Sequence, residues 1–336
     1  MSGSFDLEKY LAAGVTRIAK DAIKAIFRNP REGAFMGKFG VATSQAAQRR
    51  AAQEKAGLTV PAYMIASIAP RPDEGAPLSD DMWLGLFDQA RELGVSLIVL
   101  IGGEPLRRRA LVEGAGARQD ILFPMFLSAD TVDKAGLDLF DKCRNLMPVV
   151  RVDPAAQGPA LTGVMDGMKG KGLLFGASVT VTDGLVGAVD RALVDRLSDH
   201  GCKALFLSEP LPCSGGEPLT GAARAALDAA VNDLRAARPD MIIVSIPGDE
   251  RASGQCMAAG QTFMHISASG RAEPCPFAPY SDASARGAAG LKGAMASPLM
   301  KTLREGGYLK TAPGGGCVLQ EKCAQVEGLL GAGPKT

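Results

Sequence analysis

MIASIAPRPDEG (Met64–Gly75) and LIVLIGGEPL (Leu97–Leu106) both begin as short apolar runs of strand length. The first falls into a turn of Pro, Arg, Asp, Glu and Gly. The second ends on a glycine pair and a glutamate, with a helix-like stretch (80–93) between them. Downstream the same grammar repeats. Strand-like runs fall at 96–101, 121–127, 148–152, 174–182, 204–208 and 241–246, and helix-like stretches at 107–113, 131–145, 189–200 and 221–237. Gly94 and Gly201 stand where helices end and strands begin, as C-terminal caps. Repeated strand–helix units predict a parallel α/β sheet with crossover helices, either open or curled into a barrel. Ligands of such folds sit at the C-terminal strand ends, which directs attention to the residues just after each strand.

The ends of the chain read differently. Residues 5–28 carry apolar side chains at three- and four-residue steps among basic ones and predict an amphipathic helix that Asn29-Pro30 stops. A second helical stretch spans 42–56. This arm either packs on the main domain or docks a partner. After residue 250 comes a hairpin, TFMHISASGRAEPC (Thr262–Cys275), with its turn at Ser269-Gly270, then a loop-rich segment bearing cysteines. It reads as a separate small extension.

The chain has 336 residues, 46% hydrophobic and 22% charged, enough for a sizeable core. A net charge of +1 and 5% aromatic residues argue against nucleic-acid binding. No apolar run reaches the roughly 20 residues of a membrane span, and no signal-peptide pattern opens the sequence, so a cytoplasmic protein is expected. Seven cysteines without secretory context suggest reduced thiols or metal ligands. With only His200 and His265, a histidine zinc site or a Ser-His-Asp triad is not expected, and His265 on the hairpin strand suggests a structural hydrogen bond.

Four groups of residues could carry chemistry. Gly102 and Gly103 let the backbone approach a ligand, and Glu104, followed by Pro105, offers a carboxylate suited to an ammonium group or a ribose hydroxyl. An ordinary turn with an exposed glutamate is the plain alternative. Ser178, Thr180 and Thr182 share one strand face, which suggests a polar cleft or merely threonine's strand propensity. Asp153 and Glu209 are further strand-end carboxylates. Cys256, Cys275, Cys317 and Cys323 are spaced too widely for a zinc knuckle; as thiolates without histidine they suit iron–sulfur or cysteine-rich zinc chemistry, or they are four unconnected thiols. Cys143 and Cys202 read as core, and Cys213 is open.

Through VPAYMIASI, LSDDMWLGLFDQARELGVSLIVLIGGEPLRR, LFGASVTVTD, GQCMAAGQTFMHISASGRAEPCPFAPYSD and GGGCVLQEKCAQVEGLL, the chain resembles the radical S-adenosylmethionine superfamily, in particular members with a C-terminal SPASM- or twitch-like cysteine extension. The resemblance covers nearly all of 58–330. After the N-terminal helical arm (1–57) read from its spacing, it implies an incomplete parallel (β/α)6 barrel (58–250) and an auxiliary-cluster extension (251–336). It assigns Gly102, Gly103, Glu104 and Pro105 to S-adenosylmethionine, with Ser178 and Thr180 as further contacts. Cys256, Cys275 and Cys317, with Cys323 as a fourth, become ligands of one auxiliary iron–sulfur cluster of the 4Fe–4S kind. The family's radical-generating cluster needs a CxxxCxxC motif in the loop after the first strand. Residues 67–75 contain no cysteine, and none precedes Cys143.

The implied protein is a degenerate family member that has lost the radical-generating cluster and keeps the C-terminal one. It would act as partner, scaffold or electron carrier for an active relative or pathway enzyme, docked through the arm or the barrel mouth. An enzyme using the barrel for non-radical chemistry, still binding S-adenosylmethionine, and a metal-free binding module are the alternatives. No catalytic residue is assigned.

Overall fold

The alternating pattern folds as expected. A computed structural model of the chain describes residues 10, 13–14, 30–72, 74–155, 158–210, 216–312 and 314–331. Strands β1 (Tyr63–Ser67), β2 (Leu97–Ile101), β3 (Phe123–Leu127), β4 (Leu146–Arg151), β5 (Gly176–Thr180), β6 (Ala204–Ser208) and β7 (Ile242–Ile246) alternate with helices. After α1 (Pro30–Lys55), these are α2 (Asp80–Leu93), α3 (Arg109–Ala117), α4 (Lys134–Lys142), α5 (Pro159–Gly170), α6 (Arg191–Asp199) and α7 (Gly221–Ala237). Short α8 (Gly248–Ser253) follows β7. Then come β8 (Phe263–Ile266), β9 (Arg271–Glu273), β10 (Ala283–Ser284), α9 (Gly290–Met295), α10 (Pro298–Glu305), α11 (Val318–Glu321) and α12 (Cys323–Gly331). No helix among the described residues is long and apolar enough to cross a membrane.

The chain divides into two compact units, and it passes from one to the other within β3. One unit comprises Lys38–Met125, Met257–Lys310 and Cys317–Thr336; the other comprises Met1–Gly37, Phe126–Cys256 and Thr311–Gly316. In the first, strands run in the order β10-β9-β8-β1-β2-β3, and in the second β4-β5-β6-β7. Pairing is parallel except at β8–β9 and β9–β10, and in neither unit does it close into a ring.

Residue alternation decides what each sheet face does. In β1 and β2, Met64, Ala66, Ile98 and Leu100 are fully buried, while Tyr63, Ile65, Ser67, Leu97, Val99 and Ile101 form a half-exposed face. The buried face packs under α2, whose Trp83 and Phe87 are wholly enclosed. The Phe87 and Phe123 rings lie 5.2 Å apart. Burying a side chain of that size contributes about 3 kcal/mol. Helix α2 is closed at both ends: Ser79 Oγ accepts from the Met82 amide at 3.2 Å, and Gly94 at φ 102° donates to the Ala90 and Arg91 carbonyls. A Cβ at Gly94 would meet the Ala46 carbonyl oxygen of α1 at 2.5 Å, so this glycine also lets α1 lie close.

Two expectations shift. The helix expected over 5–28 lies outside the described residues, apart from positions 10, 13 and 14. The next helix is Pro30–Lys55 and so extends well before the expected 42: proline fits a first turn, where it has no amide to leave unsatisfied. The C-terminal hairpin is present as β8–β9, with Gly270 at φ 88° in its turn, but it does not stand apart. Strand β8 pairs in parallel with β1, from Tyr63↔Phe263 to Ala66↔Ile266.

Candidate functional site

The tip of β1 is where the hairpin acquires a second role. The register Ile65↔His265 puts His265 on the same sheet face as Ser67, the last residue of β1. Ser67 Oγ lies 2.7 Å from His265 Nε2, and His265 Nδ1 lies 3.0 Å from Glu273 Oε2 on β9. Arg71, in the loop after β1, donates from Nη2 to Glu273 Oε1 at 2.6 Å and from Nη1 to Oε2 at 3.0 Å. His265 and Glu273 are fully buried, whereas Ser67 is half-exposed.

Donor and acceptor accounting orders this chain. Burial, the largest influence, holds the His265 imidazole below its ordinary pKa against the opposing pull of Glu273, so the ring is neutral near pH 7. Burial also raises the Glu273 carboxyl, but hydrogen bonds from His265 and Arg71 outweigh it and keep the group an anion. An anionic carboxylate only accepts, so Nδ1 carries the proton and Nε2 is left to accept from the Ser67 hydroxyl.

The loop itself is stitched down. Glu74 accepts from the Ser269 amide and hydroxyl, each at 2.9 Å, and from the Arg71 amide at 3.0 Å. Burial pushes the Glu74 carboxyl up, but these bonds and one from Ser267 bring it down to about 2. Arg108 donates to the Ile68 carbonyl at 2.8 Å and to the Leu78 carbonyl at 3.1 Å, and pairs with Asp80.

Beside this loop stands the glycine turn. The Ile68 amide donates to the Ile101 carbonyl at 2.8 Å, and Gly102 and Gly103 follow at φ 78° and 62°. A Cβ on Gly103 would stand 3.0 Å from Ala69 Cβ and one on Gly102 3.5 Å from the Ala69 backbone, so the two strand tips lie close together. Both glycines are exposed, Glu104 is half-buried, and Pro105 is buried at the head of a 3₁₀ turn. Ser178 and Thr180 belong to the other unit. They share the open face of β5, with Thr180 Oγ1 3.4 Å from Ser208 Oγ on β6.

Glu209 is buried between Arg251 at 2.6 Å and Arg224 at 3.4 Å. Asp153 Oδ1 accepts from the Ala155 amide at 2.9 Å. Cys143 and Cys202 are core thiols, and burial pushes the Cys202 thiol up to about 12. Cys213 lies outside the described residues. Cys256, in one unit, donates from Sγ to Glu250 Oε1 at 3.4 Å. Cys275 and Cys317 are buried in the other unit, where Cys323 is exposed at the start of α12. Among the described residues no three or more His, Cys, Asp or Glu side chains group so as to hold a metal ion, so the C-terminal thiols as placed do not fit a cluster. The first-strand loop does not fit the radical-generating cluster either. It contributes no thiolate, and Arg71 and Glu74 are engaged with the hairpin.

Ser67, Glu273 and Arg71 escaped the sequence reading, which gave His265 a structural hydrogen bond on the hairpin strand and no more. The only local signal was the period-two spacing that puts His265 and Glu273 on hairpin strands; nothing local pairs either with β1.

No protein-family model matches the chain, and no curated protein matches it significantly. Solved structures do. SuiB of Streptococcus suis bound to S-adenosylmethionine superposes with a TM-score of 0.57 at 15% identity, over 77% of this chain and 67% of that one. SuiB bound to its precursor peptide SuiA gives 0.56 at 14% identity, over 77% and 68%. The chain therefore has the mostly parallel α/β fold that its resemblance to the radical S-adenosylmethionine superfamily implies.

Proposed function

We propose that this chain is a degenerate relative of the radical S-adenosylmethionine enzymes that no longer makes the radical and works as a partner or scaffold protein. One observation carries this: where the cluster's thiolates would stand, the β1 loop has none, and Arg71 and Glu74 tie it to Glu273 and Ser269. Reductive cleavage needs an iron site beside the sulfonium, and a loop held by a half-buried ion pair and without cysteine has no thiolate to form one. The GGEP turn supports retention of a small-molecule subsite, with Glu104 as its carboxylate and S-adenosylmethionine, the ligand of SuiB, as the first molecule to try.

The test is anaerobic incubation with S-adenosylmethionine and dithionite after reconstitution with iron and sulfide. Neither 5′-deoxyadenosine nor methionine is expected above a no-protein control. Stoichiometric 5′-deoxyadenosine would overturn the proposal. A second possibility, non-radical catalysis, is favoured by the hydrogen bond between Ser67 and His265.

A further inference from the structure

We infer that Ser67, His265 and Glu273 form a serine–histidine–carboxylate nucleophile for acyl transfer, with esters or thioesters as the substrate class. This goes beyond the function proposed above, because it needs neither S-adenosylmethionine nor a partner.

Three features support it. The contacts have the order and geometry of an activated nucleophile: hydroxyl to Nε2 at 2.7 Å, and Nδ1 to carboxylate at 3.0 Å. The accessibility gradient runs the right way, with the carboxylate and imidazole enclosed and the hydroxyl on the half-exposed face at a strand's C-terminal end. The imidazole is held neutral, with its free lone pair on the atom that faces the hydroxyl. A histidine serving only to staple β1 to the hairpin would need no such ordering toward an open face.

In the first half-reaction Ser67 Oγ attacks the acyl carbon while its proton passes to His265 Nε2. The bond from the acyl carbon to the leaving oxygen or sulfur then breaks, and Nε2 returns the proton to the leaving group. In the second, water attacks the acyl-serine and gives a proton to Nε2, which delivers it to Ser67 Oγ as the acid departs. Ester plus water becomes acid plus alcohol, and no redox partner is needed. Glu273 acts as a positioning residue that holds the ring's tautomer. Arg71 in turn holds Glu273, and its positive charge disfavours the imidazolium. The substrate class is confined to oxygen and sulfur leaving groups, which depart more readily than an amine.

The probe is a fluorophosphonate. Ser67 Oγ would displace fluoride and become a phosphonyl ester, detected by intact mass and assigned by peptide sequencing. One label at Ser67 is expected, absent in Ser67→Ala, with p-nitrophenyl acetate hydrolysis lost in the same variant. The labelling rate should follow deprotonation of His265 and level off by neutral pH. The charged groups that act on this titration are Glu273 on β9 and Arg71 and Glu74 in the β1 loop. Arg71→Gln removes a charge that disfavours the imidazolium, so its rate profile shifts to higher pH, a change that a purely structural role would not produce. Folded wild-type protein that takes no label at Ser67, or labels equally in Ser67→Ala, overturns the inference. Production of 5′-deoxyadenosine leaves it untouched, so the two proposals fail separately.

Discussion

Two buried strand-end carboxylates, one in each unit, serve opposite ends. Glu209 follows β6 and, among the described residues, pairs only with guanidinium groups, of Arg251 and Arg224; Arg251 turns its other terminal nitrogen to Asp228 at 2.8 Å. Glu273 ends β9 and meets two guanidinium groups, of Arg71 at 2.6 Å and Arg271 at 3.8 Å, together with one imidazole, and the imidazole leads on to a half-exposed hydroxyl. A carboxylate between arginines has every neighbour permanently charged, so it can only hold elements together. A carboxylate behind a histidine fixes a tautomer, and so sets which atom of the ring receives a proton. Burial alone does not separate the two, since Glu209 is 3% exposed and Glu273 0%. The identity of the next residue does.

The largest test of this contrast is kinetic. Glu273→Gln should slow fluorophosphonate labelling of Ser67 about 100-fold, the scale of general-base assistance, while Glu209→Gln leaves the rate unchanged. Equal rates in both variants would erase the distinction. Next is stability. Glu209→Ala leaves the Arg251 guanidinium, 3% exposed, without its nearest counter-charge and should cost about 3–5 kcal/mol in urea unfolding, with labelling per folded molecule preserved.

A smaller effect belongs to acid. Glu74 has a folded-state pKa near 2 against an ordinary 4.5, so its contribution is full above pH 4.5 and is lost as pH falls from there toward 2. The wild-type melting temperature should drop more steeply over that window than that of Glu74→Gln. The smallest change is expected at the neighbouring turn. Gly103→Ala places a side chain at φ 62° and 3.0 Å from Ala69 Cβ, which should cost roughly 1–2 kcal/mol and loosen the contact between the strand tips.

Much of this molecule was legible in the sequence. The alternation of strands and helices, the glycine cap at Gly94, the hairpin turn at Gly270 and the want of thiols in the β1 loop all follow from residues close together in the chain. The start of α1 was misplaced because a proline reads equally as a helix stop or as part of a first turn, and Pro30 belongs to the helix. Counting two histidines argued against a triad, and that count was uninformative, since one correctly placed histidine suffices.

What the sequence by itself determined is therefore the local grammar: alternation with a buried and a half-exposed face, turns that need glycine, and a β1 loop without a cysteine. Only the tertiary structure decided that β8 lies parallel to β1, with Ile65 beside His265, and that Arg71 reaches Glu273. Periodicity is a property of neighbouring residues, whereas the protonation of His265 and the company of Ser67 are set by burial and by partners some two hundred positions away.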